Sequence, residues 1–70
     1  MPYVNIKITR EGTTQEQKAK LIAGVTDLLL DVLDKAPART FVVIDEFEMG
    51  DWGIAGLPVD EFRKTLVDRS

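Results

Sequence analysis

The sequence predicts an α+β subunit built on one β-α-β unit. Two parallel strands are joined by a long helix, a C-terminal hairpin or short helix follows, and oligomerisation completes the sheet. Three observations predict it. The stretch YVNIKIT alternates apolar and polar side chains, the stretch QEQKAKLIAGVTDLLLDVL carries apolar residues at helical spacing, and FVVI is an unbroken apolar run. Alternation marks a half-buried strand, a period of 3.6 marks an amphipathic helix, and a short continuous run marks a strand covered on both faces. Strand, helix, strand in that order makes a crossover, which sets the two strands parallel.

In the first strand, Val4, Ile6 and Ile8 share one face, while Tyr3, Asn5, Lys7 and Thr9 share the other. The segment REGTT interrupts this pattern, with Gly12 in a turn. Thr13 with Glu16, or Thr14 with Gln17, supplies a capping box, so the helix begins here. Its main stripe is Leu21, Ile22, Val25, Leu28, Leu29, Val32 and Leu33. A second, smaller face gathers Ala19, Ala23, Thr26 and Leu30, which reads either as a wet surface or as a helix-on-helix contact between subunits. The helix is expected to end at Asp34 or Lys35, because Pro37 disfavours helical geometry in the residue before it.

The second strand is TFVVIDEF, with Phe41 to Ile44 expected to be buried on both faces. Asp45 and Glu46 are neighbours and so point to opposite faces, as structural or surface charges rather than a catalytic pair. Gly50, Gly53 and Gly56 recur around Trp52 and Ile54, which reads as a tight loop or short hairpin. Val59, Phe62 and Leu66 stand at helical spacing in the tail. Two strands leave both sheet edges open, an arrangement unstable in an isolated chain.

Seventy residues make one small domain, spanning residues 1–70, whose core is marginal without a staple or partner. There is no cysteine and no histidine, so thiolate chemistry, disulfides, a zinc site and a Ser-His-Asp triad are set aside. A net charge of −3 speaks against nucleic acid. Asp27 and Asp31 interrupt the longest apolar stretch, so no membrane span or signal peptide is read, and a cytoplasmic protein is expected.

Pro2 stands directly before the first strand. Proline cannot donate to a sheet ladder, so a strand-start position suits it. Removal of Met1 would also turn its ring nitrogen into a free secondary amine able to carry a proton.

Taken together, the Met-Pro start, the strand, the turn before QEQK, the long helix, the second strand ending in DE and the following WGIAG resemble the 4-oxalocrotonate tautomerase family over residues 2 to 56. The resemblance implies small β-α-β subunits that pair into dimers and assemble into hexamers. It implies a catalytic N-terminal proline, here Pro2, with neither metal nor cofactor. The physical requirements agree. Moving a proton between enol oxygen and carbon needs a base of near-neutral pKa and positive charge where oxyanion character develops. An amine meets the first need when it is desolvated or lies near other cations.

The family also carries an arginine in the loop after the first strand, which binds a substrate carboxylate. Arg10 is the only arginine there, with Thr13 the other position that falls opposite; Arg10 also fits a solvated strand-end charge paired to Glu11. A second family arginine lies within the second strand, where this chain has Phe41. Arg39 lies two residues earlier, either on the same strand face or in the preceding loop. Trp52 matches the family's aromatic residue beside the base, and Ile54 would extend that apolar wall. The implied activity is tautomerisation of a small enol or keto acid of the 2-hydroxydienoate type. The alternative is a catalytically silent or differently specialised oligomeric member, such as a dehalogenase- or decarboxylase-like variant; the missing strand arginine favours it, and the lack of a water-activating carboxylate speaks against the two variants.

Overall fold

Polar capping and apolar periodicity divide the chain where the sequence divides it. The computed structural model describes residues 1–68. Strand β1 (Tyr3–Thr9) leads through a turn to helix α1 (Gln15–Leu33), and a 3-10 turn (Pro37–Arg39) then delivers strand β2 (Phe41–Phe47). A second 3-10 turn (Met49–Asp51) precedes a two-residue hairpin of β3 (Gly53–Ile54) and β4 (Leu57–Pro58), and helix α2 (Val59–Asp68) follows directly. The expected choice between hairpin and helix resolves as both, one after the other. Among the described residues, no helix is long and apolar enough to cross a membrane.

The N-terminus of α1 is fixed by the second of the two anticipated capping boxes. Thr14 Oγ1 accepts from Gln17 N–H at 3.1 Å, and Gln17 Oε1 accepts from Thr14 N–H at 2.9 Å. The helix ends at Leu33, slightly earlier than the proline alone suggests. Asp34 turns into the left-handed region with φ of 55° and gives its N–H to Leu30. A left-handed residue just past the last turn satisfies carbonyls that helical geometry leaves open.

Strands β1 and β2 pair in parallel from Tyr3 opposite Phe41 to Thr9 opposite Phe47. Val4, Ile6 and Ile8 therefore lie beside Val42, Ile44 and Glu46 on one face, and Val25 and Leu29 of α1 are half-buried in the packed region. Lys18 of α1 pairs with Glu46, which identifies this as the helix-covered face. The other face presents Tyr3, Asn5 and Lys7 beside Phe41, Val43 and Asp45.

This arrangement corrects one expectation. Phe41 remains 50% exposed and Val43 39%, so the apolar run of β2 is not covered on both sides within one chain. One helix covers one face of the sheet, and among the described residues no other element covers the second. Val59, at the hairpin–α2 junction, is the only buried side chain among the described residues. The Cα radius of gyration is 16.1 Å, against about 11 Å for a compact domain of this length.

The hairpin turn carries Ala55 and Gly56 with φ of 54° and 81°, the type I′ arrangement that matches strand twist. Glycine adopts such angles freely, whereas alanine's Cβ crowds the next carbonyl. Ala55→Asn, which restores the preferred Asn-Gly pair, is expected to stabilise the fold by about 0.5–1 kcal/mol. Chemical denaturation of the two proteins side by side measures the difference; an unchanged or lower midpoint would count against turn strain.

Candidate active site

The parallel register distributes the anticipated site residues between the two ends of the sheet. At the N-terminal end, Pro2 is half-buried, and its carbonyl accepts the N–H of Phe41 at 3.0 Å. Its ring nitrogen lies outside the ladder, since proline has no N–H to give. Phe41 and Tyr3 are register partners with largely exposed rings on the open face. Arg39 closes the 3-10 turn before the strand, with its own N–H given to Ala36 at 3.0 Å. Of the two readings left open for Arg39, the loop position is therefore the observed one.

At the opposite end, Arg10 N–H donates to Phe47 C=O at 2.7 Å, which continues the sheet by one bond. The Arg10 side chain pairs with Glu48, with 2.7 Å between Nε and Oε1, and not with Glu11 as anticipated. Glu11 is taken by Arg63 of α2 through two guanidinium nitrogens, at 2.5 and 3.2 Å, and by the Thr9 hydroxyl. The Arg63 hydrogen bonds and then that of Thr9 hold the Glu11 carboxyl down at about 2, so this ion pair persists well into acid.

Trp52 belongs to the same end. Its ring lies 6.0 Å from that of Phe47, tilted by 60°, and its carbonyl accepts Val59 N–H at 2.8 Å. With Ile8, Thr13 and Val59 it helps to line an open cleft of about 420 Å³, which Lys7 and Arg63 flank with charge. Lys7 Nζ stands 5.5 Å from the Phe47 ring centroid and 3.3 Å from Asp45. Asn5 and then Lys7 hydrogen-bond Asp45 and hold its carboxyl below the usual range; the Lys18 hydrogen bond, and then the charges of Lys18 and Arg10, do so for Glu46. Asp45 and Glu46 thus serve opposite faces, as their adjacency requires. Arg10 and Ile54 do not line the cleft, and Ile54 stands 42% exposed in the hairpin.

One copy therefore gathers Pro2, Phe41 and Arg39 at one end and Arg10 and Trp52 at the other. The strand between them spans about 25 Å, far more than a small organic acid can bridge. A site containing both Pro2 and Arg10 needs a second copy. Glu48 and Arg63 were not evident as partners in the sequence. Arg63 reaches Glu11 across 52 residues, a separation for which no local pattern exists.

Comparison with known proteins gives a consistent result. The sequence model of the family described as tautomerase enzyme matches residues 2–61. A probable tautomerase of Dickeya dadantii is 59% identical over 64 residues, covering 91% of this chain and 96% of that protein. The crystal structure of DmpI from Helicobacter pylori is 43% identical and superposes with a TM-score of 0.84, covering 90% of this chain and 97% of that one. A heterohexameric 4-oxalocrotonate tautomerase from Chloroflexus aurantiacus superposes with a TM-score of 0.80 at 27% identity, covering 90% of this chain and all of that one.

Proposed function

The chain belongs to the tautomerase family, a family of isomerases, and on that premise we propose that it interconverts enol and keto forms of 2-hydroxydienoate-type acids, with Pro2 as the proton carrier. Removal of Met1 frees the proline amine. The amine takes the enol proton from oxygen and returns it to carbon, while Arg10 of another copy holds a substrate carboxylate beside the developing oxyanion. Trp52 of that copy and Phe41 keep the surroundings apolar, which lowers the amine's pKa toward neutrality. The assembly is a homo-oligomer, from dimer to hexamer; the heterohexameric relative supports subunits meeting in this way.

The observation that carries this reading is the setting of Pro2. It opens an edge strand, half-buried, with its carbonyl bound to Phe41 N–H and its nitrogen outside the ladder. An amine so held is oriented by the sheet without being consumed by it. The dienoic acid in the name of the 2-hydroxymuconate tautomerase of Bacillus subtilis, 34% identical over 56 residues, supports the substrate class.

The test is ketonisation of 2-hydroxymuconate and phenylenolpyruvate by protein whose intact mass lacks Met1. Turnover of either is the expected result; an assembled, Met1-free protein that turns over neither would overturn the proposal. Arg10→Ala should raise KM about tenfold or more with little change in kcat, the mark of a lost charge-assisted carboxylate contact. Arg39→Ala should raise KM for the dicarboxylate 2-hydroxymuconate and leave the monocarboxylate phenylenolpyruvate untouched if it supplies the anchor that Phe41 cannot. Equal effects on both substrates would remove Arg39 from that role.

A further inference from the structure

We infer that Arg63 of α2 is a positioning residue for Arg10, acting by withholding Glu11 from it. The inference rests on the reading of Arg10 as the carboxylate anchor. Arg10 and Glu11 are adjacent in sequence, at the point where β1 gives way to a turn containing Gly12 at φ of 85°. Glu48 already engages Arg10 at Nε, and a free carboxylate at Glu11 would be a second competitor for the guanidinium, against a substrate carboxylate. The structure shows where that competitor is kept. The two nitrogens of Arg63 grip it as a fork, the geometry that gives arginine–carboxylate pairs their directionality, and Thr9 Oγ1 adds another donor.

The fork is itself fixed. Helix α2 grows directly from the hairpin, with Val59 buried and its N–H bound to Trp52 C=O, so Arg63 sits one turn beyond an anchored residue. An exposed ion pair of this kind contributes little to stability. Its consequence is one of direction: which cation Glu11 faces, and hence whether Arg10 has one carboxylate to shed for a ligand or two.

The test is a cycle of variants of the full-length, assembled, Met1-free protein, with KM and kcat measured on 2-hydroxymuconate. Arg63→Ala should raise KM about three- to fivefold and leave kcat unchanged. Glu11→Ala introduced into Arg63→Ala should bring KM back to the starting value, because the freed competitor is gone. A merely structural contact would move the denaturation midpoint and kcat rather than KM alone. Arg63→Lys, which keeps the charge without the fork, should fall between the parent and Arg63→Ala, and it serves as the second reading should Arg63→Ala fold poorly.

In an Arg10→Ala background, Arg63→Ala should have no further effect on KM. An unchanged KM in Arg63→Ala, or a raised KM that Glu11→Ala fails to restore, would overturn the inference while leaving the role of Arg10 intact. An unchanged KM in Arg10→Ala alone would instead overturn the reading on which it rests.

Discussion

Pro2→Ala is expected to lose about 10²-fold or more in kcat on 2-hydroxymuconate, the scale of a positioned general acid–base group. The variant keeps a terminal amine once Met1 is removed, but it loses the ring that fixes the amine's direction at the start of β1. Protein that retains Met1 should be inactive altogether, since Pro2 nitrogen is then an amide with no proton affinity in the working range. Steady-state kinetics on preparations sorted by intact mass make the comparison. Rate that survives in fully Met1-retaining protein would rule out the proline mechanism, whatever other group carried the proton.

A charge placed on the open face of the sheet should abolish assembly. Val43→Lys puts an ammonium between Phe41 and Asp45, on a face that Tyr3 and Phe41 make apolar at its N-terminal end. The subunit exposes 5356 Å², against about 4,400 Å² for a folded monomer of its mass, and Val59 alone is buried among the described residues. In the proposed assembly other copies cover that excess, and an unpaired charge in the covered area costs several kcal/mol. Sedimentation equilibrium at micromolar concentration should report an oligomer for the parent chain and a monomer, unfolded by circular dichroism, for the variant. Ala23→Glu tests the smaller apolar face of α1 in the same way, with a weaker dissociation expected because Leu30 is the one large apolar side chain on it. A parent chain that sediments at 7.8 kDa would remove the basis for a shared site.

These two expectations draw on different parts of what the sequence discloses. The strands, α1, its capping box and the opposite facing of Asp45 and Glu46 follow from local rules of period and adjacency, and the structure agrees with each. The covering of β2 does not follow from such rules. An unbroken run such as Phe41–Ile44 signals that both faces are to be buried but not by which chain, and the single subunit covers only that of Val42 and Ile44. Pro2 was legible as a candidate because its chemistry is peculiar to its position. The partners of Arg10 were not: Glu11 was the obvious neighbour by sequence, yet three-dimensional proximity gives Arg10 to Glu48 and Glu11 to Arg63. The separation of Pro2 from Trp52 was implicit in strand length all along, and it became visible only once the register tied each residue to its end of the sheet.

That separation bears on heredity as well as on chemistry. If every site takes its proline from one copy and its loop arginine from another, a lesion at either residue spares half of what a site requires. Two alleles, one altered at Pro2 and one at Arg10, would each give defective protein when expressed alone. Expressed together, they would form mixed assemblies in which some sites draw an intact proline from the second allele and an intact arginine from the first. The two lesions would then complement within a single gene, whereas both placed on one allele would not be rescued by either single mutant, because no copy in such a mixture would carry an intact proline in the one case or an intact arginine in the other.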